Sequence, residues 1–228
     1  FAEDGVFELL AGISTDIWDI NGPHLFGFEH RQGEALLTQA VTGEKGIAVA
    51  AAQSLEADAT LAETFVMDGL GVFRALRHDA KKGETLTISA FAAVYTSLDT
   101  EAPAKSAEAL CLLAKAHGFT DCLQAHRDAW ERVWNRSELD LQGDGEAALA
   151  LHASQFYLNS IAPRHADNLS IPARGLSGQT YKGAIFWDSE MFFFPMFAHT
   201  QPEIARSLLR YRIETLPGAL RKAAEYGY

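Results

Sequence analysis

The sequence predicts a multi-part β plus α chain: a β-sandwich, a helical linker, and the opening helices of a helical barrel or bundle. Three observations carry this. Residues 1 to about 99 hold short apolar runs separated by turn signals. The spacing of apolar residues becomes helical near Pro103. After Gln142-Gly143-Asp144-Gly145 further helical runs follow, joined by short loops. The expected parts are residues 1–99 (sandwich), 100–142 (linker) and 143–228 (first helices of the barrel or bundle).

In the first part, Phe7-Glu8-Leu9-Leu10, Ala35-Leu36-Leu37-Thr38 and Ile47-Ala48-Val49-Ala50 read as strands. The turns between runs fall at Asn21-Gly22-Pro23, Gln32-Gly33, Gly43-Glu44-Lys45-Gly46 and Lys81-Lys82-Gly83-Glu84. Thr85 to Thr96 is rich in Thr, Ile, Phe, Val and Tyr, which suit a pleated surface. Many short strands with frequent turns predict a sandwich. In the linker, Ala107, Leu110, Cys111 and Ala114 recur at helical spacing and Gly118 reads as a stop. A second helix from about Asp121 places Leu123, His126, Trp130, Val133 and Trp134 on one face. A third helix spans Glu146 to about Ile161 and ends near Pro163. Thr200-Gln201-Pro202-Glu203 has the form of a capping box, and Thr215-Leu216-Pro217 reads as the opening of one more helix, with Gly227 near its end.

Hydrophobic residues make up 48% and charged residues 21% of the 228, enough for a sizeable core. The net charge of −11 argues against nucleic acid and anionic membrane as partners, since both demand a cationic face. No apolar run reaches the ~18 residues that a membrane span needs. Cys111 and Cys122 lack metal-ligand spacing and read as reduced thiols of a cytoplasmic protein, with no secretory signal in view. HExxH, GxSxG and P-loop patterns are absent, so neither a zinc site, a serine hydrolase nor a nucleotide phosphate cradle is indicated.

The loop Ile171 to Tyr181 is long for a helix–helix connection and contains residues that permit unusual backbone angles. It leads into Phe186-Trp187-Asp188-Ser189-Glu190. A sugar needs an aromatic face against the C–H surface of its ring and a carboxylate that accepts hydrogen bonds from its hydroxyls; Trp187 beside Asp188 supplies both types. The same residues have plainer readings. Trp187 suits a core, Asp188 or Ser189 suits a helix N-cap, and Glu190 suits the N-terminal dipole of the following helix. On composition alone these plainer roles are the commoner ones. Trp130 and Trp134, one turn apart, read as interdomain packing rather than a binding platform.

The runs Ile171-Pro172-Ala173-Arg174-Gly175-Leu176, Gly178-Gln179-Thr180-Tyr181-Lys182-Gly183 and Phe186-Trp187-Asp188-Ser189-Glu190 together resemble glycoside hydrolase family 65, which includes maltose, kojibiose, nigerose and trehalose phosphorylases. The stretches Trp18-Asp19-Ile20-Asn21-Gly22-Pro23-His24-Leu25, Gln201-Pro202-Glu203-Ile204-Ala205-Arg206 and Tyr211-Arg212 … Thr215-Leu216-Pro217-Gly218-Ala219 fit as well. The resemblance covers essentially the whole chain.

It implies an N-terminal β-sandwich domain, of which residues 1–99 are the C-terminal part, a helical linker over 100–142 and the beginning of an (α/α)₆ barrel over 143–228. It implies inverting phosphorolysis of an α-glucosidic bond in a glucose disaccharide or oligosaccharide, yielding β-glucose 1-phosphate. Inorganic phosphate is then the co-substrate, and no cofactor or metal is expected. Phe186, Trp187 and Asp188 become substrate-binding residues at the subsite of the transferred glucosyl unit. No catalytic residue is assigned within the chain: the general acid Glu and the phosphate loops are expected beyond residue 228, which makes this an interior fragment, inactive alone. Ala184 stands where many members have His. A homodimer is a further expectation. Two other functions stay open at this point, a trehalase-like α-glucoside hydrolase of the same family and a non-catalytic carbohydrate-binding sandwich.

Overall fold

The structure is a computed structural model that describes residues 1–17, 20, 22–166, 168–175 and 180–228, with Thr180 and Lys182 described through their backbone alone. It divides into two compact units, Phe1–Ala125 and His126–Tyr228.

The first unit is built from seven antiparallel strands. β1 (Gly5–Ser14), β5 (Ala62–Asp68) and β6 (Gly71–Ala80) form one sheet in the order β1-β6-β5. β2 (Leu25–Arg31), β3 (Leu36–Thr42), β4 (Ala48–Ala57) and β7 (Ile88–Thr96) form the other, in the order β2-β3-β4-β7. Leu9 lies opposite Leu76 in the first sheet, and Ala51 opposite Val94 in the second. The predicted sandwich is therefore present.

β3 shows why an uninterrupted apolar run marks a strand here. Leu36, Leu37 and Thr38 are all buried, although successive side chains point to opposite faces. Leu37, with Ala35, Ala50, Ala52, Phe91 and Ala93, packs against Ala107 and Cys111 of α1 (Pro103–Ser137). Leu36 belongs to the opposite row, so both faces of the strand are covered. Ion pairs Arg31–Glu108 and Lys115–Glu34 lie at the edges of the helix–sheet contact.

The two sheets are joined by a buried cation. Arg74 of β6 is 7% exposed, and its guanidinium donates to the Glu63 carboxylate and to the carbonyls of Gly33 and Glu34 in the turn before β3. Phe65 lies beneath it, 5.1 Å from ring centroid to guanidinium carbon.

β2, β5 and β6 do not announce themselves in the sequence. β2 is interrupted by a register shift between Phe26 and Glu29, with Gly27 at φ 63°. β5 is exposed at every residue, so no apolar alternation marks it. β6 hides behind its charges. The expected turns at Gly43–Gly46 and Lys81–Glu84 are present, closed by Gly46 N–H to Thr42 O at 3.0 Å and Glu84 N–H to Lys81 O at 3.0 Å.

α1 is interrupted at Gly118, whose φ of 81° and ψ of 162° are not helical, as the sequence anticipates. Both cysteines are free thiols; burial pushes the Cys111 thiol up, and its Sγ lies 3.3 Å from the Phe91 carbonyl. The second unit continues with α2 (Gly145–Ile161), α3 (Phe194–Thr200) and α4 (Pro202–Tyr226). Asp144 caps α2, accepting from the N–H groups of Glu146 and Ala147. Trp130 and Trp134 turn to α2, with Trp130 stacked on Phe156 at 5.0 Å and Trp134 edge-on to His152 at 6.0 Å. No helix among the described residues is long and apolar enough to cross a membrane.

Two helix-boundary expectations are corrected. Thr200 does not open a capping box: it ends α3 and its hydroxyl donates back to Met196 O at 2.8 Å. Gln201 takes the N-cap position without a side-chain cap, because its amide is engaged elsewhere. Nor does Thr215-Leu216-Pro217 open a helix, since α4 runs through Pro217 to Tyr226 and Gly227 ends it in the left-handed conformation. The proline deprives the carbonyl of residue 213 of its donor, but Ile213 is 71% exposed and solvent can replace the missing partner.

Two outcomes follow for the first unit. Leu36→Ala should cost about 3 kcal/mol in chemical denaturation, because β3 is enclosed on both faces and cannot collapse around the cavity. Glu84 accepts from Lys81 N–H at 2.8 Å and lies 2.6 Å from His78 Nε2, which together hold its carboxyl below the usual range. A depressed carboxylate contributes stability above its unfolded pKa and loses it as pH falls through the folded value. Glu84→Gln should therefore lower the melting temperature at neutral pH and flatten its decline in acid, read by a thermal melt at each pH.

Candidate functional site

The site is built on a core. Ile171, Phe197, Ile204, Ala205 and Leu208 are buried together, fixing the start of the long loop against α3 and α4. Behind this core runs a line of buried amides. Gln155 donates to the Ser137 carbonyl at the end of α1, and Asn159 donates to Gln155 O at 2.9 Å. Asn159 Oδ1 accepts from Gln201 Nε2 at 2.7 Å and from Arg164 Nη2 at 2.8 Å. Arg164 also donates to Asn159 O and, at 2.7 Å, to Gln201 Oε1. Loss of hydration draws the Arg164 guanidinium below its usual value, as does the nearby Arg136 cation.

Leu176 to Gln179, part of the predicted loop, lie outside the described residues, as do Trp18, Asp19 and Asn21 of the early motif. The backbone resumes in a short 3-10 turn, Thr180–Gly183, with Tyr181 at φ 69°, a left-handed conformation that is costly for a side chain of this size. Ala173 N–H reaches Ala184 O at 3.3 Å, tying the two arms of the loop together.

Phe186 to Glu190 then form a tight turn. The N–H groups of Glu190 and Met191 both reach Trp187 O at 3.1 Å. Ser189, 1% exposed, donates to Ile171 O at 2.8 Å and begins a π-helical turn, Ser189–Phe193, closed by Phe194 N–H on Ser189 O. The result is a projecting aromatic cluster. Trp187 is 63% exposed and Phe186 43%, with Tyr181 edge-on to Phe186 at 5.6 Å and Phe192 beside Trp187 at 5.9 Å.

These positions bear on the plainer readings of the same residues. Trp187 is not a core residue. Asp188 stands at the N-cap position but makes no side-chain cap bond, and the Ser189 hydroxyl is spent on Ile171. Glu190 does more than meet a helix dipole: both its oxygens pair with Arg212 of α4, from Nε and Nη2 at 2.8 Å each. That pairing raises the Arg212 guanidinium further above its usual value. Arg212 lies 22 positions from Glu190, a spacing that no local pattern reveals. Trp187 and Asp188 thus sit side by side on one exposed turn, able to offer a ring face and a carboxylate to a polar ring-shaped ligand.

The neighbourhood contains two hollows. One, about 800 Å³, is lined by Tyr157, Ile161, Ala173, Arg174, Gly175 and Phe193 and adjoins the base of the loop. The other, about 930 Å³, lies by Arg132, Arg136, Arg164, His165, Gln201 and Glu203, and none of Phe186, Trp187 or Asp188 lines it. There Arg136 grips Glu203 with both nitrogens, at 2.9 and 3.2 Å. Burial pushes the Glu203 carboxyl up, but its own backbone N–H and Arg136 outweigh this and hold it below the usual range. Among the described residues no cluster of three or more His, Cys, Asp or Glu side chains offers a metal site.

Comparison with known proteins gives matches along most of the chain. The model of the glycosyl hydrolase family 65 N-terminal domain matches residues 7–133, and that of the family 65 central catalytic domain matches residues 152–228. A nigerose phosphorylase of Lachnoclostridium phytofermentans is 36% identical over 95% of this chain and 32% of its own length. A kojibiose hydrolase of Flavobacterium johnsoniae is 34% identical over 65% of this chain and 21% of its own. A solved structure from the human microbiome, provisionally named a kojibiose phosphorylase, superposes with a TM-score of 0.64 at 16% identity, covering 87% of this chain and 27% of that one. The chain spans about a third or less of the length of these relatives.

The amide line has a measurable consequence. Asn159→Ala leaves Gln201 and Arg164 short of a buried acceptor and should destabilise the protein by about 3 kcal/mol in urea unfolding.

Proposed function

The chain belongs to glycosyl hydrolase family 65, and from that premise we propose that it supplies half of the glucosyl subsite of an enzyme that cleaves α-glucosidic bonds with inorganic phosphate. The observation that carries the proposal is the exposed Trp187 beside the half-buried, uncapped Asp188 on a turn fastened to the core. In this reading the Trp187 ring lies against the glucosyl C–H face, Asp188 accepts hydrogen bonds from the sugar hydroxyls, and Phe186 extends the apolar wall. The parts are a sandwich over 1–99, a linker over 100–142 and the first helices of an (α/α)₆ barrel from 143 onward.

The chemistry assigns little covalent work to these residues. Inversion needs an acid on the leaving oxygen and a nucleophile on the opposite face of the sugar. When phosphate is the nucleophile, the protein supplies only the acid, a Glu outside this chain. The bond from the anomeric carbon to the bridging oxygen breaks, a bond to a phosphate oxygen forms, and the acid's proton leaves with the released sugar. Trp187 and Asp188 contribute by holding the glucosyl ring in line for that displacement.

A second reading, hydrolysis of the same bond by water, is favoured by the kojibiose hydrolase relative. The discriminating experiment incubates the protein, at the full length of its relatives, with α-linked glucose disaccharides with and without phosphate. Phosphate-dependent release of β-glucose 1-phosphate is the expected result, and turnover indifferent to phosphate would establish the hydrolase instead. Trp187→Ala and Asp188→Ala should each lower kcat/KM by about a hundredfold, in line with the loss of a positioning contact. Unchanged kinetics in both would remove the subsite.

A further inference from the structure

We propose that Arg212 is a positioning residue for the glucosyl subsite, clamping the turn that presents Trp187 and Asp188; the inference rests on the subsite reading above. Its guanidinium reaches both ends of that turn at once. Nε and Nη2 hold the two Glu190 oxygens at 2.8 Å, and Nη2 also donates to the Phe186 carbonyl. Phe186 and Glu190 flank Trp187, Asp188 and Ser189, so one planar group bridges the span. From the other side, Ser189 is held to Ile171 O at 2.8 Å. The turn is thus gripped between a buried serine and a forked cation, and between them stand the exposed Trp187 and the half-buried Asp188, the residues assigned to the sugar.

α4 gives the clamp a firm base. Ile204, Ala205 and Leu208, one to two turns before Arg212, are buried in the core that also contains Ile171 and Phe197. Arg212 itself packs over Tyr211, with 5.6 Å from guanidinium carbon to ring centroid. A lysine cannot reproduce the clamp, because an ammonium has no planar fork with which to engage a carboxylate side-on and a carbonyl together.

The expected signature is poor placement without loss of fold. The ion pair is about a third exposed on each side, and such pairs add little to global stability. Displacing a binding group by ~1 Å, by contrast, can cost about a hundredfold in rate. A purely structural Arg212 would show the reverse balance.

The test uses the protein at the full length of its relatives, with an α-linked glucose disaccharide and phosphate as probes. Arg212→Ala should lower kcat/KM roughly a hundredfold while moving the melting temperature by no more than about 3 °C. Arg212→Lys should remain within about tenfold of Arg212→Ala rather than return to wild type. Because Arg212 acts through Trp187 and Asp188 together, its loss should not multiply with theirs: adding Arg212→Ala to Trp187→Ala/Asp188→Ala should change kcat/KM by no more than about threefold. Wild-type kcat/KM in Arg212→Ala, full recovery in Arg212→Lys, or losses that multiply would each overturn the proposal. Should Arg212→Ala fail to fold, Glu190→Gln breaks the charged half of the clamp, and undiminished kcat/KM there would overturn it equally. Acrylamide quenching of Trp187, taken as the difference from a Trp187→Phe protein, reports the clamp without catalysis and should rise in Arg212→Ala. If Trp187→Ala and Asp188→Ala both keep wild-type kinetics, the subsite reading fails and the sugar-positioning role with it. A quenching rise would then show that the clamp holds the turn, while unchanged quenching would show that the clamp fails as well.

Discussion

The second unit depends on a neutral amide, Asn159, that adds hydrogen bonds to the apolar packing of α2 against α4 and reaches the end of α1 through Gln155. Its carbonyl oxygen receives both Gln201 and Arg164, while its own nitrogen reaches back along α2 to Gln155, which in turn meets Ser137. An apolar contact tolerates sliding. A line of hydrogen bonds between buried amides does not, because any shift leaves a desolvated donor or acceptor without a partner. The register of these helices is fixed accordingly, and the loop that begins at Ile171 starts from a defined place.

From that place a sequence of local constraints produces an exposed tryptophan, which hydrophobicity by itself would draw inward. Ser189 is buried and spends its hydroxyl on Ile171, so the backbone at that point is drawn toward the core. Trp187, two residues earlier on the same tight turn, is correspondingly turned out. The wider π-helical turn that follows leads into Pro195, at the start of α3 where its missing N–H costs little. The projection of Trp187 is therefore a by-product of how Ser189 is anchored, and the carboxylate of Asp188 is left without a capping duty.

How much of this is legible in the sequence varies with burial. β3 is readable because Leu36 and Leu37 are covered on opposite faces and their apolar run records that, and β4 because its apolar start, Ala48 to Ala52, marks a strand buried at alternate residues. β5, exposed along its length, has no such mark, and β6 carries Arg74 in a buried row where a pattern search expects an aliphatic residue. Gly118 is readable because its backbone angles suit glycine, whereas Pro217 misleads because an exposed helix tolerates what a buried one would not. Trp187 and Asp188 stand out as a pair through the family resemblance, and the proposed subsite rests on them. The Glu190–Arg212 contact is not, since it joins residues brought together only by the packing of α4 against the core.

Arg74 carries one further consequence, and it concerns the order of folding. Its partners come from two places: Glu63 on the neighbouring strand, and the Gly33 and Glu34 carbonyls in the turn that leads into β3 of the opposite sheet. A cation enclosed before those oxygens are in position is strongly disfavoured. The β5–β6 hairpin can pair Arg74 with Glu63 locally, but the face of β6 cannot close until the turn before β3 has formed. Face-to-face closure of the sandwich is thereby made a late event, and the charge that seems out of place in the core acts as a check against premature collapse.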